Sequence, residues 1–280
     1  MFILASLNSM GLFSPGAHQA IASRGDGRQK LRTKRMKFSY PIVNADIVAH
    51  RGASNVTPEN TLASVRKTAE MGAKWIETDV RLTADLKLVM IHDETLDRTT
   101  NSSGTVLSKT LGEIQALDAG SWFHQDFAGE IAPDLEEYLD CVIECGLNLQ
   151  LEVKEVPGLE RELVERVAVV LREKWPTGKR PIYLSGFSER CLRYAAEIIP
   201  DIPRCIALVA APQYPAALVK EIGCQMIHIQ DIPYNTPARF GLLKSSGVEF
   251  AVATVDDPKR ARELLDMGAQ SILSDNPALL

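Results

Sequence analysis

The sequence has little positive charge to spare: 31 basic against 36 acidic residues leave a formal net charge of -5. A general nucleic-acid binder is usually basic, so that class is disfavoured. An anionic small molecule is not, because a local group of cations or a metal reverses the field in a cleft. Cysteine is scarce. The five residues Cys141, Cys145, Cys191, Cys205 and Cys224 are odd in number, and no pair has zinc-site spacing with histidine. A disulfide framework is therefore not expected, and a reducing, cytoplasmic setting fits. After residue 40 no apolar run reaches the roughly 18 residues of a membrane span. No Gly-x-Gly-x-x-Gly opens the first helical pattern, and no Gly-x-Ser-x-Gly elbow or Cys-His grouping occurs. The signs of a dinucleotide fold and of serine or cysteine nucleophiles are thus missing.

What remains is a chain of 280 residues, 45% hydrophobic and 24% charged, an ordinary globular composition with ample length for one large core. Residues 1–40 stand apart. Met1 to Ser23 carries no charge and Arg24 to Lys37 is basic, the reverse of a secretory signal. This stretch reads as a disordered or non-native extension, with Met36 as an alternative start. Residues 41–280 read as a single domain.

From Asp46 onward eight short β-rich runs alternate with helical patterns. The runs are Ile47–His50, Trp75–Val80, Leu149–Val153, Pro181–Ser185, Arg204–Val209, Gln225–Ile229, Val248–Thr254 and Ser271–Ser274. Between them lie apolar-periodic stretches such as Thr61–Met71, Leu159–Trp175, Ser188–Ile199 and Pro258–Met267. Alternation predicts a parallel sheet with right-handed crossovers, and eight units predict a closed α/β TIM (β/α)₈ barrel. One segment breaks the rhythm, about residues 94–131, with the aromatic cluster Trp122, Phe123 and Phe127. It is too long for a simple loop and reads as a small insertion after the second barrel strand, over the face where such barrels keep their sites.

Three acids sit at strand ends. Glu77 and Asp79 are two apart, so the strand period puts them on one face; Glu152 ends a later strand, with Lys154 two residues on. Carboxylates pointing into a barrel are costly unless paired, solvated or bound to a metal. Three converging ones suit a hard divalent cation, Mg²⁺ or Ca²⁺, between which the sequence does not choose. His50 closes the first run, followed by Arg51, and His92 closes an apolar run that returns after Asp79. A hairpin turning between Asp85 and Leu86 would bring His92 opposite Asp79, with a one-residue shift if the turn is odd. A metal, two imidazoles and two cations, Arg51 and Lys154, match a phosphodiester. The cations offset charge growing on phosphoryl oxygens and the imidazoles move the two protons. His124 and His228 read as structural histidines, and His18 takes no role.

In order and spacing, His50-Arg51-Gly52, Pro58-Glu59-Asn60-Thr61, Glu77-Thr78-Asp79, His92-Asp93, Leu96-x-Arg98-Thr99 and Leu151-Glu152-Val153-Lys154 resemble the glycerophosphodiester phosphodiesterase family. The resemblance thins after Phe187. It implies a TIM barrel with a small insertion and hydrolysis of glycerophosphodiesters to glycerol 3-phosphate and an alcohol. It also implies Glu77, Asp79 and Glu152 as metal ligands, His50 as base and His92 as acid, and Arg51 and Lys154 on the phosphate. A neighbouring glycerol hydroxyl would attack phosphorus first, giving a cyclic phosphate that water opens. Glu59 is expected to orient His50 or Arg51, and Asn60 to cap the following helix. A related barrel acting on lysophospholipids and a silent phosphate-binding relative are the alternatives. The insertion could serve as a lid or as the surface of a homodimer. Two departures stand out: Asp85-Leu86 where relatives carry Asp-Gly, and Ala253-Thr254-Val255-Asp256 where they carry Trp-Thr-Val-Asn.

Overall fold

The computed structural model describes residues 38–176, 178 and 180–280; the expected extension lies outside them up to residue 37. Each of the eight runs becomes a parallel strand. They are β1 (Ile47–Ala49), β2 (Trp75–Leu82), β4 (Asn148–Val153), β5 (Ile182–Gly186), β6 (Arg204–Leu208), β7 (Met226–Gln230), β8 (Glu249–Ala253) and β9 (Ser271–Ser274). Successive strands pair side by side, and β1 pairs with both β9 and β2, which closes the barrel. The expected TIM barrel is what forms.

Helices cover the outside: α1 (Leu62–Glu70), α3 (Leu135–Glu144), α4 (Glu160–Lys174), α5 (Glu189–Ile198), α6 (Pro215–Ile222), α7 (Pro237–Ser246) and α8 (Pro258–Asp266). The last three begin on proline, whose fixed φ suits the first helical turn and whose missing N–H costs nothing there. The four sequence-marked helices fall on α1, α4, α5 and α8, since each buries one apolar stripe against the strands. Inside the barrel, Val48, Trp75, Tyr183, Met226 and Leu273 fill the floor with Ile42 and Val43. The Ile42 and Val43 N–H groups donate to the Glu249 carboxylate at 2.8 and 2.9 Å. That end is sealed, so the C-terminal strand ends form the open face.

β3 (Leu88–Met90) runs back antiparallel to β2, with Val80 opposite Met90 and Arg81 opposite Val89. This corrects the expected register by one residue. Asp79 faces Ile91, whose N–H donates to the Asp79 carbonyl at 3.2 Å, and His92 lies one step beyond. The turn centres on Asp85 because Leu86 takes a left-handed φ of 56°, and Thr83 closes it with an N–H to the Lys87 carbonyl at 3.0 Å. The insertion follows this hairpin, after the second barrel strand as expected. It contains α2 (Leu111–Gln115) and two short 3₁₀ turns, Val106–Ser108 and Gln125–Phe127. Leu96, Val106, Ile114, Ala119 and Ala132 give it a small core against Val89 and Ile91. Among the described residues, no helix is long and apolar enough to cross a membrane.

Candidate active site

The turn after β1 sets the first group. Arg51 and Gly52 are both left-handed, φ 56° and 85°, and a Cβ on Gly52 would meet Ser64 Oγ at 2.5 Å. Only glycine fits at position 52. This tight reversal aims the Arg51 backbone N–H at Glu77 Oε2, 2.9 Å away. It also leaves the Arg51 side chain beside Asp79, Nε to Oδ2 3.5 Å, and bonded to Glu59 Oε1 at 3.0 Å. Of the two roles expected for Glu59, the one toward Arg51 holds. Asn60 does not cap α1: the cap is Thr61, which accepts from the Ser64 N–H. Asn60 has φ 57° and turns inward. Its Nδ2 donates to Asp79 Oδ2 at 2.9 Å, and its Oδ1 accepts from the Thr78 hydroxyl and the Asp79 N–H at 2.7 and 3.2 Å.

The strand period brings the three acids together. Asp79 pairs in register with Glu152 across β2 and β4. Oxygens of Glu77, Asp79 and Glu152 all lie within 4.8 Å of one another, with Glu77 and Asp79 only 1% exposed. Burial and the neighbouring Asp79 push Glu77 up to about 8, and burial also raises Glu152. Burial acts the same way on Asp79, but Lys154 and Arg51 overcome it and hold that carboxyl below the ordinary range. The Lys154 ammonium bonds Glu152 and meets Asp79 Oδ1 at 3.0 Å. Burial works against its charge, yet the two carboxylates raise it. A trio of oxygens that repel one another in a dry pocket is the donor set a hard divalent cation needs.

Both histidines are backed by aspartate. His50 Nδ1 lies 2.7 Å from Asp275 Oδ1, and His92 Nδ1 lies 2.7 Å from Asp93 Oδ1. With Nδ1–H on the carboxylate, each Nε2 is left free for proton transfer. Their affinities for protons diverge. Burial, the largest single influence, lowers His50, but the Asp275 bond and the negative charges of Glu77 and Asp275 together outweigh it and the net shift is upward. Burial dominates at His92 and leaves it lowered. Asp275 was missed in the sequence: it sits after β9 and reaches His50 only because the barrel closes. It is itself held by the Ser54 hydroxyl at 2.9 Å, and its N–H donates to Asp256 Oδ1 at 2.9 Å.

His50, Arg51, His92, Glu152 and Lys154 line one cavity of about 310 Å³, whose far wall is Phe187, Leu208, Ile229, Gln230 and Ala253. His228, read as structural, also lines this cavity. His228 is buried, within 3.3 Å of Tyr183 Oη and Gln150 Nε2, and pushed down to about 3 by burial. His124 caps a 3₁₀ turn in the insertion.

Residues 50–279 match the model of the glycerophosphoryl diester phosphodiesterase family. The chain belongs to that family. A glycerophosphodiester phosphodiesterase from Caldanaerobacter subterraneus is 32% identical over 241 residues, covering 84% of this chain and 95% of the relative. One from Bacillus subtilis is 32% identical over 83% of this chain and 84% of the relative. Among solved structures, a phosphodiesterase from Oleispira antarctica, in complex with the product sn-glycerol-3-phosphate, superposes with a TM-score of 0.81. It is 33% identical and covers 84% of this chain and 94% of that one. In this glycerophosphoryl diester phosphodiesterase family member, His50, Arg51, His92, Glu152 and Lys154 face one cavity, and Glu77 and Asp79 lie beside Glu152.

Proposed function

We propose that the cavity hydrolyses glycerophosphodiesters, such as glycerophosphocholine or glycerophosphoethanolamine, to glycerol 3-phosphate and an alcohol. The observation that carries this reading is the convergence of three carboxylates, two aspartate-backed imidazoles and two cations on one cleft. Glu77, Asp79 and Glu152 would hold Mg²⁺ or Ca²⁺. When bound, that ion would stabilise negative charge on the phosphoryl oxygens. Arg51 and Lys154 hold the phosphate from the protein side. Asn60 fixes Asp79, and Glu59 fixes Arg51. His50 and His92 exchange protons with the attacking hydroxyl, the substrate's own glycerol hydroxyl on the resemblance, and with the leaving alkoxide. The shifts favour the reverse of the assignment by resemblance. His50, raised, is the better proton donor, and His92, lowered, is the better acceptor.

Turnover of glycerophosphocholine by purified protein tests the reading. Release of glycerol 3-phosphate should stop with EDTA and return with one of the two cations. It should also fall by about 10²-fold or more in His50→Ala and in His92→Ala. Unchanged metal-dependent turnover in both variants would sink it. The lysophospholipid alternative draws on Trp122, which is 38% exposed at the mouth. Phe123 and Phe127 pack edge-on within the insertion, while Phe187 on the cavity wall is exposed. Comparing lysophosphatidylcholine with glycerophosphocholine separates the two. We read residues 41–280 as the catalytic unit and the cytoplasm as its setting. Pairing of two copies through the insertion would be seen by sedimentation.

A further inference from the structure

The rim of the cleft carries a cation, Arg98, to which the hydrolysis above gives no role. Arg98, the first basic residue of the insertion, makes four hydrogen bonds to two carboxylates. Nε and Nη2 donate to Asp93 Oδ2 and Oδ1 at 2.7 and 3.0 Å. Nη1 and Nη2 donate to Glu59 Oε2 and Oε1 at 2.7 and 2.8 Å. Asp93 is the partner of His92 Nδ1, and Glu59 is the partner of Arg51 Nη1. The guanidinium is 42% exposed. An isolated exposed ion pair adds little to a fold; what distinguishes this fork is which two carboxylates it holds. What the fork does fix is both oxygens of Asp93, so that Oδ1 cannot swing away from His92.

We propose that Arg98 is a positioning residue, which locks His92 in its Nδ1–H tautomer through Asp93 and steadies Arg51 through Glu59. The inference rests on the hydrolase reading above. It makes the insertion part of the reaction centre, since Arg98 sits at its start and the Trp122 ring lies 5.9 Å from the guanidinium carbon. Lysine cannot replace the fork, because an ammonium offers a point charge and no planar pair of donors.

The test compares Arg98→Gln and Arg98→Lys with the parent, by steady-state kinetics on glycerophosphocholine and by NMR of the His92 imidazole nitrogens. Expected are a fall in kcat of about 10–100-fold, the usual range for losing such a supporting partner, a nearly constant KM, and a mixture of tautomers at His92. Arg98→Lys should stay close to Arg98→Gln. Full recovery of kcat in Arg98→Lys, a loss confined to KM, or an unchanged His92 signal would each overturn the proposal. If the parent fails to turn over while the His92 signal still changes in Arg98→Gln, the positioning stands and the hydrolase reading alone fails.

Discussion

At the scale of single residues, the two histidines share the same aspartate backing, yet burial and the surrounding charges shift them in opposite directions. A leaving group that needs no proton tells them apart. On a glycerophospho-p-nitrophenyl ester, the variant lacking the acid should recover most of its activity, and the variant lacking the base should not. With His50 as donor, His50→Ala recovers; recovery of His92→Ala would restore the opposite assignment. The pH profile of kcat/KM should be a bell close to neutrality, rising through the lowered His92 and falling through the raised His50. Glu77 makes a second case. Its folded carboxyl, about 8, lies above its unfolded value near 4.5. The protein free of divalent cations therefore loses stability as pH rises between those values, because the folded state holds a proton that the unfolded state has released. Glu77→Gln removes that repulsion. It should stabilise the cation-free protein at pH 7.5 in urea unfolding, while abolishing turnover.

Among the elements, the hairpin and the insertion repay attention. Leucine in a left-handed turn costs about 1–2 kcal/mol, partly offset because glycine loses more freedom on folding. Leu86→Gly should therefore raise stability by up to about 1 kcal/mol in urea unfolding. A decrease would show that the half-buried Leu86 side chain contributes more than its backbone costs. The strands and helices were legible because period and residue type are local properties. The turn was placed one residue off because its centre depends on Leu86 accepting a positive φ, the conformation that an Asp-Gly at this place would favour. Asn60 was misread for the same reason: a left-handed φ redirected a cap-like residue toward Asp79. In the insertion, Asp118 accepts N–H bonds from Gly120, Ser121 and Gly129, and these hold its carboxyl below the ordinary range. Asp118→Ala should open residues 119–131 to limited proteolysis, with a drop in kcat if Trp122 and Arg98 move together.

On the scale of the whole molecule, acid sensitivity should trace to the barrel interior. His228 is wholly buried and pushed down to about 3, against about 6.5 when unfolded. Below pH 6.5 the unfolded chain takes up a proton that the folded one refuses, so stability falls with pH. About 2 kcal/mol is lost between pH 7 and pH 5 from this group alone. His228→Gln should flatten that slope in urea melts. Nothing in the sequence around His228 revealed how strongly it is shifted, since that depends on its burial once the barrel has closed. The same limit hid Asp275, 225 residues from His50, and the joint hold of Arg98 on Asp93 and Glu59. Local pattern points to candidate groups; closure of the chain decides what holds them.

That closure has a consequence for synthesis. Both histidines and the three carboxylates lie between residues 50 and 152, so they leave the ribosome well before the rest of the barrel. Asp275, which steadies His50, follows the last strand. A nascent chain would thus carry the full reactive set, unshielded and without its final anchor, until translation is almost complete. Competence for turnover would then come late and abruptly, with the docking of β9 beside β1.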